Sequence, residues 1–173
     1  MGNHYAFVKF EADGNVVMGN TDITQIGGET LDRAEWIQCK RVSYGLKRDI
    51  GTGARVSGHT HYDRIEFDMP QGPATPVLMT ALERGQTVNC TIRFYHNRRD
   101  GQEEKYLEIV GTDGRLAGVK VINQVAADSD NTTTVEGEAH MIAHYAFHQL
   151  QVDHVGEDGS TSAHFDWSGG SQG

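Results

Sequence analysis

The sequence predicts a mainly β domain, antiparallel in organisation, with a single helix. Three observations carry this. Short stretches of alternating or β-branched residues recur between glycine and asparagine punctuation, the pattern of half-buried strands. Four Asp-Gly pairs, Asp13-Gly14, Asp100-Gly101, Asp113-Gly114 and Asp158-Gly159, supply the positive backbone angles that tight hairpin turns demand. Only one segment follows helical spacing.

Taken in order, strands are expected near Tyr5 to Phe10, Trp36 to Lys47, Thr60 to Met69 and Thr87 to His96. Further strands are expected near Lys105 to Val110, Gly118 to Asn123, Val135 to Val155 and Ser162 to Trp167. The helix falls between the third and fourth. Thr75 suits the N-cap and Pro76 the first helical position, Val77, Leu78, Ala81 and Leu82 form an apolar stripe, and Gly85 is placed to end it. Such a stripe packs on a core. Two segments are loop-like: Lys47 to Gly58, with three glycines and three cations, and the polar run Ala126 to Thr134. The first is long for a hairpin, and long connections in compact domains serve contacts. Residues 1–168 make one domain and 169–173 a frayed, flexible tail.

Composition narrows the function. The 173 residues fit one domain, and a hydrophobic share of 37% suffices for one modest core. A formal charge of -9 repels phosphate backbones and anionic headgroups, so nucleic acid and membrane insertion are disfavoured as partners. No apolar run approaches the roughly 20 residues of a membrane span, and the first ten residues lack the basic and apolar regions of a cleaved signal. Gly2 does not make a myristoylation site, because Ala6 stands where Ser or Thr is needed. Cys39 and Cys90 are too few for a disulfide framework or zinc cluster and read as buried free thiols of a reducing cytoplasm.

Candidate chemistry is sparse. His140, His144 and His148 are spaced by four, which on a helix would converge on a metal. On a strand, residues four apart share a face but stand about 13 Å apart. The aromatic and β-branched surroundings favour strand, so no metal site is expected there. His59 and His61 share a strand face without an arranged acidic or cysteine partner. Nucleotide-loop, nucleophile-elbow and zincin motifs are missing, so neither cofactor nor catalytic residue is assigned.

The order of landmarks resembles the Hcp family, the haemolysin-coregulated tube proteins of type VI secretion systems, over nearly the whole chain. Tyr5-Ala6-Phe7-Val8-Lys9-Phe10 opens it. Val42-Ser43-Tyr44-Gly45 stands where the family often has Trp-Ser-Trp-Gly, and the long glycine-bearing loop and the histidine-containing strand Gly58 to Phe67 follow. The most specific match is Ala74-Thr75-Pro76-Val77-Leu78-Met79-Thr80-Ala81-Leu82-Glu83-Arg84-Gly85, similar to the family's Ser-Ser-Pro-Leu-Leu-x-x-Ala-Leu-x-x-Gly helix. Phe94-Tyr95, Asp100 to Tyr106 and Asp158 to Trp167 resemble the remaining hairpins. Departures are Met69-Pro70-Gln71-Gly72-Pro73 before the helix, Val42 in place of tryptophan, and a longer stretch over residues 11 to 28.

The resemblance implies an antiparallel β-barrel of two packed sheets flanked by one helix, six copies closing into a ring. Rings stack into the inner tube, tipped by a VgrG-type spike, surrounded by sheath proteins and carrying small effectors in the lumen. Such a protein is made in the cytoplasm and exported by the machine itself, without a cleaved signal. Ser43 takes the position of the family's lumenal serine, and period-two alternation puts Arg41 on the same face while Val42 and Tyr44 turn to the core. The loop contributes Arg48, Asp49 and Arg55, with Gly51 and Gly53 as bending points, to the adjacent ring. Two other readings compete: a tail-tube protein of a contractile phage or related particle, and a small β-barrel enzyme or metal-binding module using the histidines.

Overall fold

The computed structural model describes residues 3–53, 56–124, 138–167 and 171–172. The elements are β1 (His4–Ala12), β2 (Asn15–Val16), β3 (Gln25–Ile26), β4 (Glu29–Thr30), β5 (Ile37–Cys39), β6 (Arg41–Ser43), β7 (Leu46–Ile50), β8 (Val56–Tyr62) and β9 (Ile65–Pro70). After them come α1 (Ala74–Glu83), β10 (Val88–Asn97), β11 (Glu103–Gln124), β12 (Glu138–Ala146), β13 (Gln149–Gly156), β14 (Gly159–Asp166) and β15 (Ser171–Gln172).

Two places where the chain passes from one layer to the other make the barrel. The strand β11 is long enough to serve both: its first half lies between β10 and β13, and its second half, from Arg115 on, pairs with β12. Opposite it, β5 pairs with β1 while β6 pairs with β9, and the Lys40 N–H donates to the Asp68 carbonyl at 2.8 Å between them. The first layer therefore runs β5-β1-β10-β11-β13-β14 and the second β6-β9-β12-β11. Alternation fills the space between: Ile65, Phe67 and Met69 of β9 face Met141, Ala143 and Tyr145 of β12, all buried, and Phe10 meets Phe67 edge-on at 5.1 Å. Burial of these side chains at about 25 cal/mol per Å² is the main driving force.

The helix is where the sequence places it, one turn end adjusted. Pro73 is the N-cap, so Pro76 is the third helical residue, still in the turn whose N–H groups have no partner. Thr75 instead accepts the Gly72 N–H at 3.1 Å. Gly85 ends the helix at φ +61, with the Gln86 N–H reaching the Ala81 carbonyl. Leu78 and Ala81 are buried, whereas Val77 is 40% exposed.

Several strands differ from expectation. The stretch from Trp36 to Lys47 is broken into β5, β6 and the start of β7, because it changes layers at Lys40 and leaves the barrel after Ser43. Asp63 and Arg64 divide β8 from β9, and Phe147 and His148 divide β12 from β13. The strands expected around Lys105 and Gly118 are one strand, and Asp113-Gly114 is not a hairpin turn. Asp113 has φ +53, and the pairing shifts there. Asp-Gly suits an irregular strand as well as a turn, and a Cβ on Gly114 would sit 2.4 Å from the Ala146 carbonyl and 2.5 Å from the Tyr145 ring. The other three Asp-Gly pairs lie at chain reversals. Residues 17–35, unassigned from sequence, include a small hairpin of β3 and β4. The run Ala126 to Thr134 lies outside the described residues, and Ser171 and Gln172, in the expected tail, pair in parallel with His61 and Tyr62.

Candidate assembly surfaces: inner face, free edges and arm

The outward face of the second layer is built by register. Ser43, Glu66, His144 and Gly118 form one row across β6, β9, β12 and β11. Arg41, Asp68, Ile142 and Lys120 form the next, and Pro70, His140 and Ile122 a third. Arg41 and Ser43 are exposed on this face, with Val42 turned toward the core. Tyr44 departs from expectation: it is 41% exposed, because the strand has ended and the ring leans on Phe94 at 6.3 Å. Most of the face's side chains are polar, and several are paired with one another. Arg41 donates to Glu66 at 2.5 Å, His140 meets Asp68 at 2.7 Å, and the Gln71 amide donates to the Ile122 and His140 carbonyls.

His140 and His144 lie on one strand face as read from sequence, while His148 sits past the strand at an exposed bend. Among the described residues no group of three His, Cys, Asp or Glu side chains is placed to hold a metal. Cys39 and Cys90 are buried free thiols. Burial pushes the Cys90 thiol up to about 12 and drives Cys39 upward too, with Asp68 adding to it, so neither is a nucleophile at neutral pH.

The expected loop from Lys47 to Gly58 is largely a two-stranded arm. Arg48 and Asp49 lie in β7, where Leu46 pairs with Tyr62, Lys47 with His61 and Arg48 with Thr60, and Asp49 interrupts the register. All five β7 residues are exposed. Gly51 precedes a turn at Thr52 and Gly53, and Gly53 has φ +77; Arg55 lies outside the described residues. The arm is rooted by an aromatic cluster in which Tyr62 meets Phe147, Phe165 and Trp167 at 5.6, 6.2 and 5.5 Å.

Sequence reasoning missed one polar site. On the outer face of the first layer, the β3–β4 hairpin brings Glu29 to the Tyr95 hydroxyl at 2.5 Å, Lys105 at 3.0 Å and Arg93 at 3.4 Å. Arg93 and Lys105 also pair with Glu108, and the Arg93 guanidinium stacks on Trp36 at 4.7 Å. Burial pulls the Glu29 carboxyl upward, but the Tyr95, Lys105 and Arg93 donors outweigh it and hold the carboxyl below its ordinary range. The signal available in sequence was the alternation of Arg93 and Tyr95 with Ile92 and Phe94, which turn toward the barrel core.

A family model described as "Type VI secretion system effector, Hcp" matches residues 18–154. The chain belongs to the Hcp family. It is accordingly a type VI secretion tube protein, of a family whose role is structural. Solved structures agree in fold. A crystal structure of an Hcp protein superposes with a TM-score of 0.75 at 16% identity, over 95% of this chain and 98% of that one. A variant of Hcp1 from E. coli EAEC 042 gives 0.69 at 17%, over 95% and 97%. The secreted protein Hcp3 from Pseudomonas aeruginosa gives 0.65 at 14%, over 95% and 99%. No curated protein matches the sequence significantly. Neither the phage tail-tube reading nor the enzyme or metal-module reading gains support from these likenesses.

Proposed function

We propose that six copies of this Hcp protein close into a ring, that rings stack into the inner tube, and that the β6-β9-β12-β11 face lines the lumen. The observation that carries the reading is the pair of unlike free edges on that layer. At one end β6 has β9 as its only neighbour and β7 has only β8; at the other, residues 115–124 of β11 pair with β12 alone, among the described residues. Unpaired edges invite strand addition, and unlike edges on one subunit make a head-to-tail contact that closes into a ring. Joining β11 of one copy to β6 and β7 of the next makes a continuous inner wall.

In that wall Arg41 and Ser43 contact small effector proteins, and no cofactor is involved. Arg48, Asp49, Gly51, Gly53 and Arg55 contact the adjacent ring. Six arms engage at once, so exposed pairs of about 0.2–1 kcal/mol each hold a stack together. A VgrG-type spike and sheath proteins complete the partners, and the protein leaves the cytoplasm through the machine itself. Light scattering after gel filtration tests the ring: six protomer masses are expected, and a monomer at micromolar concentration overturns it. Replacing residues 49–57 by a short turn tests the arm, with rings intact but tubes and secretion lost. Wild-type tubes from that variant remove the arm's role.

A further inference from the structure

Charge on the outward face of the second layer is sorted by strand. Among the described rows both carboxylates, Glu66 and Asp68, stand on β9, and each is engaged: Glu66 by Arg41 at 2.5 Å and Asp68 by His140 at 2.7 Å. The cations stand on the two edge strands, Arg41 on β6 and Lys120 on β11. Lys120 is exposed, lies opposite Ile142, and has no ion pair among the described residues. Residues 41–43, 118–122 and 140–144 contain no carboxylate, and Glu138 begins β12 one row further on.

Ring closure changes what this pattern adds up to. In the head-to-tail wall β11 of one copy lies beside β6 of the next, so Lys120 and Arg41 approach each junction from its two sides. A continuous wall keeps outward positions outward, and both side chains therefore face the lumen. The strip formed by β12, β11 and the next β6 is roughly 10 Å across at about 4.8 Å per strand spacing. Over the residues named it offers cations and histidines to the lumen and no carboxylate.

Resting on that ring and lumen reading, we infer that the lumen selects effector proteins by an acidic surface, with Lys120 as the residue that meets it. Arg41 is held by Glu66, whereas the Lys120 ammonium is uncompensated and its flexible stem adapts to carboxylates in varied positions. The chain's formal charge of -9 does not set the sign inside. Charges on the outer face of the first layer lie a sheet spacing of about 10 Å behind the wall, beyond the Debye length of about 8 Å. A concave surface with one sign in excess focuses its field inward. Carboxylates suit it better than phosphates of a single strand, because its rows carry no Phe, Tyr or Trp on which bases would stack.

The test is fluorescence anisotropy of a labelled oligo-glutamate peptide with the 173-residue protein, its mass read by light scattering in the same buffer. The ring is expected to bind oligo-glutamate and not oligo-lysine, and to release it as salt is added. Lys120→Gln keeps the ring mass and weakens binding about tenfold, and Lys120→Arg retains it. Arg99→Gln, in the exposed β10–β11 hairpin outside the wall, leaves binding unchanged. If a wild-type ring takes both peptides alike, takes a single-stranded oligonucleotide as tightly, or is indifferent to Lys120→Gln, the acidic-cargo reading fails while the ring stands. A Lys120→Gln protein that no longer forms rings makes Lys120 a junction contact and removes its cargo role. A wild-type monomer overturns the ring, and the strip with it.

Discussion

The outer face of the first layer and the arm differ in what they leave undone. Around Arg93 every charge is used: Glu29, Glu108, Lys105 and Tyr95 satisfy one another beneath the β3–β4 hairpin, and Trp36 covers the guanidinium. On β7 all five side chains are exposed, and His61 of β8 pairs with Asp49 at 3.3 Å. The first surface contributes to the fold of its own protomer. The second is held out in a defined shape by its root, with its side chains in solvent. An internally satisfied surface and an exposed one are thus distinguishable within one chain.

The largest way to sharpen this contrast is to damage the body. Phe67→Ala removes a fully buried ring packed edge-on against Phe10 and is expected to cost about 3–5 kcal/mol of folding stability. Urea unfolding measures it, and rings are lost only through the fold. Next is Tyr95→Phe, which deletes the hydroxyl donor to Glu29 and leaves a part-buried carboxylate short of a partner. Hydrogen bonds to charged groups contribute about 1.5–3 kcal/mol, and a loss near the lower end is expected because Lys105 and Arg93 remain. A loss below the precision of the denaturation curve would show that the network is not a stabilising one.

The same network gives a pH dependence with a definite sign. Glu29 is held below its ordinary 4.5, so the folded protein binds that proton more weakly than the unfolded chain. Its contribution is complete above 4.5 and is lost as pH falls from there through the lower folded value. The stability difference between wild type and Glu29→Gln should therefore shrink on acidification below 4.5 and stay level between pH 6 and 8. A difference that grows in acid would contradict the geometry.

How legible all this was in the sequence follows from the range of each signal. Helix α1, read from Pro76, its apolar stripe and Gly85, was legible because its signals are local, and the reversals at Gly14, Gly101 and Gly159 for the same reason. The unbroken β11 was not, since whether Asp113-Gly114 turns or bends depends on Tyr145, more than thirty residues away, filling the space a side chain would need. The Glu29 site was missed on the same ground: its partners Arg93, Tyr95 and Lys105 are distant in sequence. Tyr44 was misassigned because alternation holds only while the strand continues, and β6 ends at Ser43. The outward orientation of Arg41 and Ser43 was legible because it needs nothing but period two and one inward-facing neighbour, Val42.

The smallest expected effect lies in the arm. Asp49→Asn removes the charge from the His61 pair, whose carboxylate is 73% exposed and whose separation is long for a hydrogen bond. Exposed pairs of this sort contribute about 0–1 kcal/mol, and Asp49 sits where the register of β7 and β8 is already interrupted, so few other contacts depend on it. Folding stability should change by no more than about 0.5 kcal/mol, within the range of ordinary surface substitutions. Ring mass by light scattering should also hold, since pairing between sheet edges uses main-chain groups and not the Asp49 side chain. Stacking should nonetheless weaken, because each ring presents the lost contact six times. Negative-stain images at matched concentrations should show shorter tubes. An unchanged tube-length distribution would detach Asp49 from the stack, and a drop in monomer stability comparable to that of Tyr95→Phe would erase the contrast between the two regions.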